Sequence, residues 1–168
     1  ARDIFPPMHW SLEDALALRH QPRVQVQTAP GDRYEHLAFN LRHPVLRDLR
    51  VRAALTRAID RTRLRADILQ DQVYPAIGPV HPRDPHFSIQ VERYDFDLAS
   101  ANAQLSKAGW FTDGTQVRHK GARSLTLPLL VDDHPSRLSV ARRIRDDLRA
   151  VGVTVVIESV SSSECLRK

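Results

Sequence analysis

Apolar positions repeat along this chain with two periods, close to 3.6 and close to 2, and the places where one gives way to the other divide it into elements. Leu12, Ala15, Leu16 and Leu18 follow Ser11, with Glu13 and Asp14 in the first turn, which predicts a short helix over Ser11–His20. Pro22 ends it, and Val24 and Val26 between glutamines predict a half-buried strand that closes in the turn Ala29-Pro30-Gly31-Asp32. Tyr34–Leu41 alternates again: Tyr34, His36, Ala38 and Asn40 share one face of a predicted strand, and Leu37, Phe39 and Leu41 the other.

The longer period then takes over. Val51, Ala54, Leu55, Ala58 and Ile59 form one stripe of an amphipathic helix whose arginines fall largely on the opposite face. Asp60 caps a second helix, Arg61–Leu69, with Leu64, Ile68 and Leu69 directed at the core. Pro75, Pro79, Pro82 and Pro85 forbid a regular element across the next stretch, which reads as a long ordered loop. Asp97 opens a helix carrying Ala99, Ala101, Ala103, Leu105 and Ala108, closed by Gly109 and flanked by Phe96 and Trp110 as packing anchors.

Asp113-Gly114 and Lys120-Gly121 signal a small hairpin or an irregular excursion. Leu125–Asp132 is a strand in which Pro128 requires an edge or a bulge. Leu138, Ala141, Ile144, Leu148 and Val151 form the stripe of a helix from Pro135 to Val151, which Gly152 ends, and the β-branched run Val153–Val160 is a strand. Strand, helix, strand in that order predicts a crossover unit with parallel strands. The tail Ser161–Lys168 reads as a frayed end.

The quoted segments resemble, in order, those of the peptide-type extracellular solute-binding proteins of family 5. The similarity rests first on Phe39-Asn40, Asp48, Val51-Arg52, Ala54-Leu55, Ala58 and Ile59-Asp60-Arg61. Tyr74-Pro75-Ala76 with Gly78-Pro79 is similar to the family's proline-rich link, and Ala108-Gly109-Trp110 to its helix ending. Val140-Ala141, Ile144, Leu148, Gly152-Val153 and Val155 are similar to its last helix and strand. Leu98 stands where the family often has Pro, and Leu46-Arg47 replaces an aromatic-acid pair.

The resemblance implies a mixed α/β fold, a fragment of a lobe of the type II periplasmic-binding-protein kind with a small sheet flanked by amphipathic helices. Residues 1–33 would be the end of the first lobe and the approach to the hinge, and residues 34–168 part of the second. It implies the binding component of an ABC importer. That component takes up a small solute, a peptide first among them, in a cleft between lobes and hands it to the membrane subunits of a permease. The place would be periplasmic or otherwise extracytoplasmic, with or without a membrane anchor on the full-length protein. The alternative is a ligand-sensing domain of the same fold in a DNA-binding transcriptional regulator. In a closing cleft, His36, Ala38 and Asn40 on the strand face and Tyr74, Pro75 and Gly78 in the loop are the ligand-binding candidates.

Composition and charge change this picture little. The 168 residues are 42% hydrophobic and 27% charged, enough for one domain with a core. Nothing approaches the roughly 18 consecutive apolar residues of a membrane span. A formal charge of +5 and arginine-rich helices, Arg50–Arg65 and Arg137–Arg149, raise a nucleic-acid surface as a candidate. No recognised DNA motif or aromatic platform accompanies them, and Asp146 and Asp147 dilute the field, so a solvated face is expected and no nucleic-acid partner.

His81, Asp84 and His86 cluster in the loop, but their spacing fits no zinc signature, and neither a metal nor a cofactor is expected. Asp132 and Asp133 beside His134 read as caps and dipole partners of the helix that follows. The lone Cys165 excludes an internal disulfide. No constellation supports catalysis. Apolar surface exposed on a severed lobe would allow self-association.

Overall fold

The computed structural model describes residues 17–27, 34–112, 116–165 and 167. The chain divides into two compact units, Ala1–Arg33 and Tyr34–Lys168. Within the first, Leu18–His20 form one 3-10 turn, and residues 24–27 join no sheet ladder. The predicted strand there is therefore not formed: alternation marks a face, but a strand also needs a partner backbone. Residues 11–16 of the predicted helix and the turn at 29–32 lie outside the described residues.

The second unit runs α1 (Leu49–Ala58), α2 (Arg61–Leu69), a long loop, α3 (Leu98–Lys107), β1 (Phe111–Thr112), β2 (Arg118–Lys120), β3 (Arg123–Ser124), β4 (Thr126–Asp132), α4 (Pro135–Arg149), β5 (Thr154–Val160) and α5 (Ser162–Cys165). β1, β2 and β3 form an antiparallel three-stranded sheet in that order. β4 and β5 pair in parallel, Thr126 opposite Thr154 through Asp132 opposite Val160, with α4 as the crossover. Pro128 fits because a two-stranded sheet leaves one edge of each strand without a partner. The turn around Asp113-Gly114 lies outside the described residues.

The helices start and stop where their local chemistry requires. Asp48, Asp60 and Asp97 each accept a backbone N–H from the first turn of α1, α2 and α3. α3 ends in a Schellman motif: Trp110 N–H donates to Leu105 O at 3.0 Å and Gly109 N–H to Ser106 O at 2.9 Å, with Gly109 at φ +86°. The turn after α4 repeats the motif, Val153 N–H on Leu148 O and Gly152 N–H on Arg149 O, with Gly152 at φ +79°.

One core joins these elements: Val51, Leu55 and Ala58 of α1, Ala101 and Leu105 of α3, Trp110, Leu125, Leu127, Ile144 and Leu148 of α4, and Val151, Val153 and Val155. Burial of each large apolar side chain is worth about 1.5–3 kcal/mol, so this cluster dominates the unit's stability. Several predicted placements are corrected. Leu64 packs against the core, but it, Ile68 and Leu69 are only half-buried, because α2 lies at the margin. Phe96 is 46% exposed, unlike Trp110, which closes the α3 ending. Ala99 and Ala103 face outward. The tail is not frayed at Ser162–Cys165, which form the short α5.

Candidate functional site

Tyr34–Asn40 carries the alternation the sequence predicts without being a strand. Leu37 and Phe39 pack against the core while His36, Ala38 and Asn40 are exposed. The Tyr34 and His36 rings stack, centroids 5.2 Å apart and planes within 12°, as residues on one face of an extended segment can. The segment pairs with no described strand, and it stops at Asn40. Asn40 Oδ1 accepts from Arg42 N–H at 3.0 Å and its carbonyl from His43 N–H at 3.0 Å. That turn swings Leu41 out to 56% exposure, so Leu41 does not share the buried face predicted for it.

The exposed face is tethered from behind. Arg137, in the first turn of α4, donates to Glu35 Oε1 at 3.1 Å and also to Asp132 Oδ2 at the end of β4. Asp132 in turn accepts from Ser162 Oγ at 3.3 Å and, at 3.4 Å, from His134 N–H. Asp132 is thus the buried hub of a network between β4, α4 and α5, a larger role than the helix-start partner read from sequence; the cap position of α4 is His134, whose side chain makes no capping bond. No sequence signal separates Asp132 from its neighbour Asp133, since only the fold brings Arg137 and Ser162 to it.

The proline-rich loop holds the other candidates. Tyr74 is 75% exposed, Pro75 is exposed, and Gly78 is half-buried with open space where a Cβ would stand. Ile89 and Val91 add exposed apolar surface further along. The loop's far end is fixed: Arg61 donates to Tyr94 O at 2.6 Å, the Arg57 guanidinium lies 5.1 Å from the Tyr94 ring centre, and Asp97 N–H reaches Arg57 O. Within the loop His86 meets Asp84 at 3.0 Å and His81 Nδ1 accepts Arg83 N–H, local turn contacts. No group of three or more metal-ligating side chains is found among the described residues.

The arginines of the helices are largely engaged inside the protein. Arg52 donates to Leu46 O and Arg47 O, Arg50 to Asp48 and Lys107 O, and Arg143 to Asp147 and Asp67. Arg50 holds the Asp48 carboxyl below its ordinary pKa by donating hydrogen bonds to it within an ion pair. Such pairing weakens the field that a phosphate backbone would meet.

Sequence reasoning also passed over Arg118. It is a buried cation that donates to Val151 O, Trp110 O, Asn102 Oδ1 and Ser106 Oγ, at 2.6–3.2 Å. It ties the end of α3 to the turn after α4, and burial pushes its pKa down. A lone Arg in a predicted hairpin gives no warning of this.

Against this geometry the profile of the family described as "Bacterial extracellular solute-binding proteins, family 5 Middle" matches residues 4–168. The chain belongs to that family. The Di/tripeptide-binding protein 2 of Pseudomonas aeruginosa is 28% identical over 93% of this chain and 28% of its own length. The Peptide transport periplasmic protein SapA of Salmonella typhimurium is 33% identical over 85% of this chain and 25% of its own length. This family 5 chain therefore spans about a quarter of the length of the relatives it matches.

Among solved structures, NikA from Brucella suis in complex with Fe(III)-EDTA superposes at TM-score 0.71 with 29% identity, over 76% of this chain and 26% of that one. The oligopeptide-binding protein AppA from Bacillus subtilis, in complex with a nonapeptide, superposes at 0.72 with 24% identity, over 77% of this chain and 26% of that one, a likeness of fold. The mixed α/β architecture is that of type II periplasmic binding proteins.

Proposed function

We propose that this family 5 chain is part of the solute-binding component of an ABC importer, with a peptide as solute and the membrane subunits of a permease as partner. The observation that carries the reading is the family match over 4–168, together with relatives named for di/tripeptide binding and for peptide transport that align with more than four-fifths of the chain. Residues 1–33 belong on this reading to the end of the first lobe, and 34–168 to the second. The protein works outside the cytoplasm and is a receptor, not an enzyme.

His36, Ala38 and Asn40, with Tyr74, Pro75 and Gly78, are the residues proposed to touch solute. Their exposure on an extended face and on an apolar loop supports that role, since a pocket needs apolar contact and few, well-held polar groups. The Arg137–Glu35 tether supports it further by fixing the backbone next to His36.

The test is thermal stabilisation of the longer protein that contains this chain, screened with di- and oligopeptides, nickel complexes, sugars and nucleic acid. A peptide at about 100 times its Kd should add about 2.7 kcal/mol of stability. A shift with a metal complex or a sugar instead would reassign the cargo. A shift with nucleic acid alone, abolished by salt, would overturn the receptor reading.

A further inference from the structure

A second surface of the Tyr34–Lys168 unit, built from other residues than the proposed solute contacts, has the make-up of a binding site. Pro44, Val45, Arg47 and Asp48, at the entry to α1, face Trp110, Lys120, Ala122 and Arg123 across an open groove of about 900 Å³. Both walls are fixed by backbone bonds: Leu46 and Arg47 N–H donate to His43 O, and Trp110 N–H closes the α3 ending. Val45 and Trp110 are buried beneath the groove, and the exposed Pro44 and Ala122 supply its accessible apolar surface.

The charges at the groove are unbalanced. Asp48 is committed to Arg50, whose Nε and terminal nitrogen bind its two oxygens at 3.0 and 2.7 Å. Lys120 donates to Ala108 O at 2.9 Å and has two more N–H groups to give. The exposed guanidinium groups of Arg47 and Arg123 have no hydrogen-bond or ion-pair partner among the described residues, in contrast to Arg50, Arg52, Arg61, Arg137 and Arg143. Three cations around an apolar surface, with the local acid already spent, complement carboxylates that flank an apolar side chain.

We propose that this groove docks an acidic segment of a partner protein, an apolar residue seated against Pro44 and Ala122 between carboxylates held by Arg47, Lys120 and Arg123. The open shape suits an extended segment better than an enclosed small molecule. A nucleic-acid strand is disfavoured because the aromatic ring is buried, leaving no face for bases to stack on. The proposal does not depend on which solute the cleft takes.

The experiment displays the segment Asp-Glu-Leu-Phe-Asp-Glu in a surface loop of a folded carrier protein, too bulky to enter an interlobe cleft, and measures its binding to the longer protein by calorimetry. The expected result is binding that falls about tenfold or more in the pair Arg47→Glu with Arg123→Glu, less in Arg47→Gln with Arg123→Gln, and again with added salt. Both side chains are exposed and have no partner among the described residues, so unfolding is not expected, and the glutamine pair serves if the glutamate pair fails to fold. Absence of binding, binding unchanged in both variant pairs, or equal competition by a carrier with serines in place of the acids would overturn it. So would equal competition by a twelve-nucleotide DNA strand. A peptide-induced thermal shift that survives any of these outcomes leaves the receptor reading standing alone.

Discussion

A β-carbon on Gly152 would lie 2.8 Å from Cγ of Arg118. The glycine also sits at φ +79°, where side chains bring strain. The close approach exists because Arg118 must pass beneath the α4 ending to reach Val151 O and Trp110 O. Gly152→Ala should therefore lose about 2–3 kcal/mol in urea unfolding, strain plus displacement of the guanidinium. Gly121→Ala is the comparator, since Gly121 has φ +60° but nothing within 4 Å of its Cβ position, and it should lose only about 1 kcal/mol. Equal losses would mean that Arg118 gives way freely.

Arg118→Met keeps most of the volume and removes the donors. The Val151 and Trp110 carbonyls then lose a charged donor in a buried setting, which should cost about 2–4 kcal/mol. No carboxylate takes part, and a guanidinium stays protonated, so the loss should be the same at pH 5 and pH 9. A strongly pH-dependent loss would point to an acid partner instead.

The sequence made the helices legible because each carries its own signals: Asp48, Asp60 and Asp97 as caps, Gly109 and Gly152 past the ends, and a stripe between. The parallel pairing of β4 and β5 followed from order alone. Tyr34–Asn40 shows the limit. Its face was readable from alternation, but pairing depends on a partner that no local pattern reveals, and the turn that exposes Leu41 is held by the Asn40 side chain and carbonyl together. Arg118 and Asp132 were unreadable as organisers for a related reason. Their partners lie up to 33 residues away, and nothing in the local pattern around a lone charged residue points to them.

Asp48 caps α1 and pairs with Arg50, so Asp48→Ala should cost about 1 kcal/mol in chemical denaturation. The pH dependence has a defined sign. Its carboxyl pKa is depressed in the folded protein by Arg50, so its contribution is fully present above the unfolded carboxylate value of about 3.9 and is lost as pH falls through the lower folded value. The stability difference between the wild type and Asp48→Ala should be flat from pH 5 to pH 8 and shrink below about pH 4. A difference that grew on acidification would refute the assignment.

Arg137 bridges two carboxylates in different surroundings, and they should respond differently to its loss. The Asp132 side chain is 9% exposed and Glu35 is 61% exposed. Among the described residues, Arg137→Ala leaves Asp132 with only Ser162 Oγ and the His134 N–H, which should cost about 1–3 kcal/mol. Glu35→Ala removes a solvent-screened pair and should cost about 0.5 kcal/mol or less. A double-mutant cycle should accordingly find Arg137 coupled more strongly to Asp132 than to Glu35. If the tether also holds the face bearing His36 and Asn40, Glu35→Ala should weaken solute affinity severalfold in the longer protein while leaving its unfolding midpoint nearly unchanged. Parallel loss of stability and affinity would assign Glu35 to the scaffold alone, and unchanged affinity would remove the tether from any part in solute binding.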